Sequence, residues 1–231
     1  MLAEERECVM GLGRLADEVF EAVLFDMDGT LIDSTPAVER AWGAWMREYG
    51  ISVEAMGRQH GVPAAQVVRA LLAEDQHVAA IARIDELELA DVGDIAVLPG
   101  AAEALEALRD ARSAIATSCT APLARARIAA ARLLPPSVLV TVDDVAHGKP
   151  APDPFLEAAR RLGADPTRCL VVEDAPKGLE AARAAGCATL AVVTTTAREG
   201  LDADAVVGDL SEVEFVPGED GIRVRPRSQG A

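Results

Sequence analysis

Two rhythms of apolar positions run along the chain. Short runs rich in Val, Leu, Ile and Phe predict buried strands at Val23–Phe25, Ala114–Ala116, Val138–Val142, Cys169–Val172, Thr189–Val193 and Ala205–Val207. Helical spacing separates them: a helix opened by Pro99-Gly100 and running to Arg109, one over Ala121–Arg132, one over Pro152–Leu162 stopped by Gly163, and one over Ala175–Ala185 with Pro176 near its start and Gly186 beyond its end. Strict strand–helix alternation of this kind implies an α/β fold, a doubly wound parallel sheet of Rossmann type with helices on both faces.

The stretch after the first strand has the helical rhythm alone. Asp33-Ser34 offers a cap, Pro36 suits a first turn, and Val38, Ala41, Trp42, Trp45 and Met46 follow at helical spacing up to Tyr49, with Gly50 as the stop. A Gly61-Val62-Pro63 break precedes two more helical stretches, about 64–74 and 76–90. At the other end, Glu214-Phe215-Val216 and Ile222-Arg223-Val224 flank a Pro-Gly-Glu-Asp-Gly turn, the pattern of a C-terminal β-hairpin. The expected organisation is an N-terminal extension over 1–20, a core over 21–33 and 95–231, and a helical insertion over 34–94. The extension is expected as a surface helix, since it lacks the basic start and long apolar segment of a signal peptide.

Composition narrows the function. The chain has 231 residues, half of them hydrophobic but only 3% aromatic, so its core is built from Ala, Leu, Val and Ile. With 22 basic and 38 acidic residues the formal charge is −16, which disfavours nucleic acid and anionic membranes as partners and requires a locally positive site for an anionic substrate. Cys8, Cys119, Cys169 and Cys187 are widely spaced, without a Cys-x-x-Cys pair, and read as reduced thiols of a cytoplasmic protein.

The candidate chemistry lies at the predicted strand ends, where parallel sheets bind ligands. The first strand runs into Asp26-Met27-Asp28-Gly29, whose two carboxylates share one face of an extended chain and need a cation or a shared proton to stay together. The second ends in Thr117-Ser118, the third is followed by Lys149, and the fourth ends in Glu173-Asp174. Carboxylates for a divalent cation, hydroxyl and amide donors, and one positive charge are together the equipment for holding a phosphoryl group. Each taken alone has a plainer reading as a helix cap or a solvated loop residue.

Asp26-Met27-Asp28-Gly29-Thr30-Leu31, Thr117, Lys149-Pro150 and Glu173-Asp174-Ala175-Pro176-Lys177-Gly178 resemble, in order and spacing, the four motifs of the haloacid dehalogenase-like hydrolase superfamily over about 22–216. The helical insertion resembles that family's small α-helical cap. Asp33-Ser34, Arg40-Ala41-Trp42, His60-Gly61 and Thr117-Ser118-Cys119-Thr120 further resemble its sugar- and polyol-phosphate phosphatases. The resemblance implies that Asp26 is the nucleophile, forming an aspartyl-phosphate, and that Asp28 is the acid for the leaving alcohol and then the base for water. It implies Mg²⁺ held by Asp26, the Asp28 carbonyl and Asp174, with Glu173 beside it. Thr117, the Ser118 amide and Lys149 would bind phosphoryl oxygens, and His60 of the cap would lie near the substrate. The expected partner is a small-molecule phosphate ester, and the chain is expected to act as a monomer.

Asp28 separates the chain from the metal-free dehalogenases, which lack that aspartate. Val38, and Pro63 or Ala64, stand where β-phosphoglucomutase carries a histidine and an arginine, which weighs against the alternative of a phosphomutase. A non-catalytic phosphosugar-binding protein is the remaining alternative. On pattern alone Trp42 and Trp45 read as helix core, Cys119 as a small loop residue, and Asp85, Glu86 and Glu88 as a solvated face.

Overall fold

The computed structural model describes residues 11–57 and 62–227. Its centre is a parallel sheet of six strands: β1 (Ala22–Phe25), β4 (Ser113–Ala116), β5 (Val138–Val140), β6 (Cys169–Glu173), β7 (Ala188–Val192) and β8 (Ala205–Val207). The spatial order is β5-β4-β1-β6-β7-β8, so the first strand lies in the middle, paired with β4 through Phe25 and Ile115 and with β6 through Phe25 and Val172. Burial on both faces explains why these strands read as continuous apolar runs. Along β1, Val23 and Phe25 enter one core and Ala22 and Leu24 the other, as a period of two requires.

Four helices flank this sheet: α5 (Ala101–Ala107), α6 (Ala121–Ala130), α7 (Asp153–Leu162) and α8 (Pro176–Ala184). The cores are built mainly from aliphatic residues, with Phe25 and Phe155 as fully buried aromatic anchors. The tail forms the antiparallel hairpin β9 (Val213–Gly218) and β10 (Gly221–Pro226), packed on the sheet by an edge-on contact of Phe25 with Phe215. Residues 11–12 are helical and 13–16 continue as a 3₁₀ helix, with Leu12 and Leu15 buried in the main core and Phe20 bridging Ile222, so this part of the extension packs into the core. Residues 1–10 lie outside the described part.

Between β1 and β4 the chain first makes a small ribbon, β2 (Ile32–Asp33) against β3 (Ala96–Val97), which the sequence pattern did not signal. The ribbon brackets α1 (Thr35–Tyr49), α2 (Val53–Met56), α3 (Ala64–Leu71) and α4 (His77–Ala90). Gly50 takes a left-handed conformation (φ 67°) and ends α1, as expected of a C-cap glycine. These helices have their own small core of Ala41, Trp45, Val68, Ala80 and Ile84. Trp45 is fully buried, donates its indole N–H to the Ala80 carbonyl at 2.9 Å and stacks on Tyr49. Pro63 touches the sheet unit at Gly148, where an added Cβ would lie 2.5 Å from the proline ring. No helix among the described residues is long and apolar enough to cross a membrane.

Candidate active site

Because β1 is central and parallel to both neighbours, the segments leaving β1, β4, β5 and β6 all emerge at one edge of the sheet. There they line a cleft of about 1080 Å³ between the sheet and the helices, walled by Asp26, Asp28, Thr117, Ser118, Trp42, Met46 and Arg127 among others. Trp42 is half-buried and faces this cleft, whereas Trp45 is core.

Asp26, Lys149, Glu173 and Asp174 meet at the floor, each buried. The ammonium of Lys149 donates to Asp26 Oδ1 at 2.5 Å and to Glu173 Oε1 at 2.8 Å, and it lies 5.0 Å from the centre of the Phe155 ring. Glu173 Oε2 accepts the backbone N–H groups of Asp174 and Ala175, both at 2.8 Å. Glu173 is therefore a bracket, fixing the lysine with one oxygen and the turn after β6 with the other. Asp174 is held by Thr30, whose hydroxyl donates to Oδ1 at 3.1 Å, and by Thr195, whose hydroxyl donates to Oδ2. Thr30 stands in the first motif, but its hold on Asp174, more than a hundred positions away, was not foreseen, and Thr195 was not singled out from sequence at all.

Gly29 shows why a glycine follows the aspartate pair. It has φ 88°, and a Cβ there would sit 2.3 Å from Asp174 Oδ2. Thr117 is buried, its hydroxyl accepts the Cys119 N–H at 3.2 Å, and it lines the cleft with Ser118. His60 lies outside the described residues.

One carboxylate oxygen each of Asp26, Glu173 and Asp174 can be chosen so that all lie within 4.8 Å of one another. Three buried carboxylates share one lysine, which leaves the floor short of positive charge. The shortage is visible in the acidities. Burial raises Asp26 to about 7 from its ordinary 3.8, Lys149 pulls it back down, and Glu173 and Asp28 add to the rise. Asp174 is also pushed well up, by burial and then by Glu173 and Asp26. An all-oxygen donor set with excess negative charge fits a hard divalent cation. The Asp28 side chain stands apart from this cluster. It accepts from the Ser34 hydroxyl at 2.6 Å and Arg127 Nη1 at 2.9 Å on Oδ1, and from the Cys119 thiol at 3.1 Å on Oδ2.

Glu88 and Asp85 correct the expectation of a solvated face, and Arg127, not considered from pattern, is the reason for Glu88. Glu88 is buried and receives Arg127 Nη2 at 3.0 Å, Asp85 is half-buried, and only Glu86 fits a solvated face. The signal was present: Arg127 lies on the buried stripe of Leu123, Ala124 and Ile128, and Glu88 is one turn beyond buried Ile84.

A family model described as haloacid dehalogenase-like hydrolase matches residues 20–186. Hexitol phosphatase A of Escherichia coli is 42% identical over 199 residues, covering 84% of this chain and 88% of that protein. Fructose-1-phosphate phosphatase of the same organism is 33% identical, with 73% and 94% covered. Among solved structures, a hydrolase from Pseudomonas syringae superposes with a TM-score of 0.76 at 28% identity, covering 83% of this chain and 94% of that one. CbbY from Rhodobacter sphaeroides in complex with phosphate gives 0.72 at 27% identity, covering 84% and 96%. The chain belongs to the haloacid dehalogenase-like hydrolases. Within that family it is an enzyme of the phosphoric monoester hydrolase class.

Proposed function

We propose that the chain hydrolyses a small sugar or polyol phosphate through an aspartyl-phosphate on Asp26, with Mg²⁺ as cofactor. The observation that carries this reading is the convergence of Asp26, Lys149 and Asp174 at the floor of a cleft in which Asp28 also stands. The hexitol and fructose-1-phosphate phosphatases among its relatives support the substrate class.

In the first step an Asp26 oxygen bonds to phosphorus while the bond from phosphorus to the ester oxygen breaks, and Asp28 gives a proton to the departing alkoxide. In the second, Asp28 takes a proton from water, the water oxygen bonds to phosphorus, and the bond to Asp26 breaks to yield inorganic phosphate. Lys149 and Thr117 stabilise negative charge on the transferring oxygens, and the Ser118 amide serves as a further donor. Asp26, Asp174 and the Asp28 carbonyl would hold Mg²⁺, which when bound supplies the positive charge that three buried carboxylates and one lysine lack. The helical unit over 34–94 covers the cleft and excludes water from it while Asp26 is phosphorylated.

The test is a screen of sugar and polyol phosphates for phosphate release, with and without Mg²⁺, in the native chain and in Asp26→Asn. Mg²⁺-dependent release that the variant abolishes supports the proposal. Isomer interconversion without release would replace it with a mutase, and binding without turnover with a phosphosugar sensor.

A further inference from the structure

Arg127 is a buried cation that the two-step reaction does not use. It sits on α6, 3% exposed, and its guanidinium joins two carboxylates from different parts of the fold: Nη1 donates to Asp28 Oδ1 at 2.9 Å and also to the Cys119 sulfur at 3.2 Å, and Nη2 donates to Glu88 Oε1 of α4 at 3.0 Å. Its Nε has no partner among the described residues. An unpaired buried donor is costly, so the guanidinium is placed to serve Asp28 and Glu88 at the expense of its own third bond.

The arrangement around Asp28 shows what that placement does. A carboxylate oxygen has two lone pairs. Oδ1 receives both Ser34 and Arg127, which fills it, whereas Oδ2 receives, among the described residues, the Cys119 thiol alone, at 3.1 Å. Oδ2 therefore keeps the free lone pair, and Asp28 lines the cleft where substrate would lie. We propose that Arg127 is a positioning residue that pins Oδ1 of Asp28 and so makes Oδ2 the oxygen that exchanges the proton, and that Glu88 makes this alignment depend on the helical unit being docked. The inference rests on the acid–base role proposed for Asp28. Its physical content is an ion-paired relay: Glu88 belongs to the helices over the cleft, so their displacement takes away one anchor of the guanidinium and loosens the other.

The test uses two esters that differ in their need for an acid. An alkoxide leaving a hexitol phosphate requires a proton, while the weakly basic phenolate leaving p-nitrophenyl phosphate does not. The measured quantity is kcat/KM, which reports the steps through cleavage of the ester. Arg127→Met is expected to lower it by about tenfold or more for the alkyl ester and less than about threefold for the aryl ester, within the range of a misaligned general acid. Arg127→Lys, which can still reach Asp28 with a charge, recovers part of the alkyl-ester loss. Arg127→Met combined with Glu88→Leu replaces the buried pair by apolar groups and keeps the fold intact should the single variant fail to fold; it shows the same split. Equal losses on both esters, or none, overturn the positioning role while the phosphatase stands. Glu88→Leu alone shows the split in the same direction, and an unchanged ratio there overturns the dependence on the docked helices. The alkyl ester used is one that the native chain hydrolyses in the screen above; if the chain releases phosphate from none of those esters, the phosphatase reading falls and the positioning role with it.

Discussion

Lys149 reaches Asp26 across 123 positions of sequence and donates to its Oδ1 at 2.5 Å, with no part of the lysine exposed to solvent. The contact sets the electrostatics of the floor. Burial would otherwise hold Asp26 protonated, and the lysine is the one cation placed against it among the described residues. Asp26 and Glu173 raise the lysine above its ordinary value although burial opposes this, so it stays charged at any physiological pH. Lys149→Met is therefore expected to cost about 10²–10³-fold in kcat/KM for a sugar phosphate. Steady-state kinetics on folded variant, checked by circular dichroism, test it; activity within threefold of native would remove Lys149 from phosphoryl binding.

Mg²⁺ should stabilise the folded chain. A ligand bound only by the native state adds about 2.7 kcal/mol at a hundredfold excess over its dissociation constant. Thermal unfolding in EDTA against Mg²⁺ is expected to show a higher midpoint with the metal, and Asp174→Asn to lose most of that shift. Identical midpoints in the native chain would mean that the three carboxylates do not hold the ion.

Gly178→Ala reverses a familiar sign. Replacing a helical glycine by alanine ordinarily stabilises by about 0.5–1 kcal/mol. At position 178, however, a Cβ would lie 1.6 Å from Glu173 Oε1, the oxygen that holds Lys149. The variant is expected to be destabilised by about 1–3 kcal/mol and to lose activity, because the glutamate has to leave the lysine. Urea unfolding decides the first part, and a stabilised variant would contradict the packing described.

Glu88 predicts a pH dependence. Burial raises it from its ordinary 4.5 to about 7, with Arg127 opposing and Asp28 adding to the rise. Between those values the native state keeps a proton that the unfolded chain has released. This group's contribution to stability is therefore full below about 4.5 and lost as pH rises through about 7. Glu88→Gln carries no titrating proton. The stability of the native chain minus that of the variant, measured by urea unfolding in EDTA, should fall as pH rises through this window. A difference independent of pH would show that Glu88 is ionised throughout.

Much of the site was legible because its residues end strands. A central parallel strand reads as a short apolar run, and its first polar residues must lie at the sheet edge; Asp26, Thr117 and Asp174 follow from that rule without any knowledge of contacts. The residues that hold them did not. Thr195 looks like an ordinary loop threonine and Thr30 is read only as part of the first motif; their common hold on Asp174 exists only where two loops meet.

Arg127 and Glu88 mark the boundary between the two kinds of knowledge. The pattern of apolar positions by itself determined the strand–helix alternation, the helical insertion and the strand-end carboxylates, since each depends on local periodicity and burial. That a charge on a buried stripe of α6 would stand between a carboxylate on α4 and that of Asp28 was decided only by tertiary structure. Ion pairing is set by distance in space, and 99 positions separate Asp28 from the guanidinium that holds it. No local spacing encodes such a contact: Asp28 and Arg127 meet only once the sheet and α6 are assembled, and Glu88 joins them only when the helical unit docks.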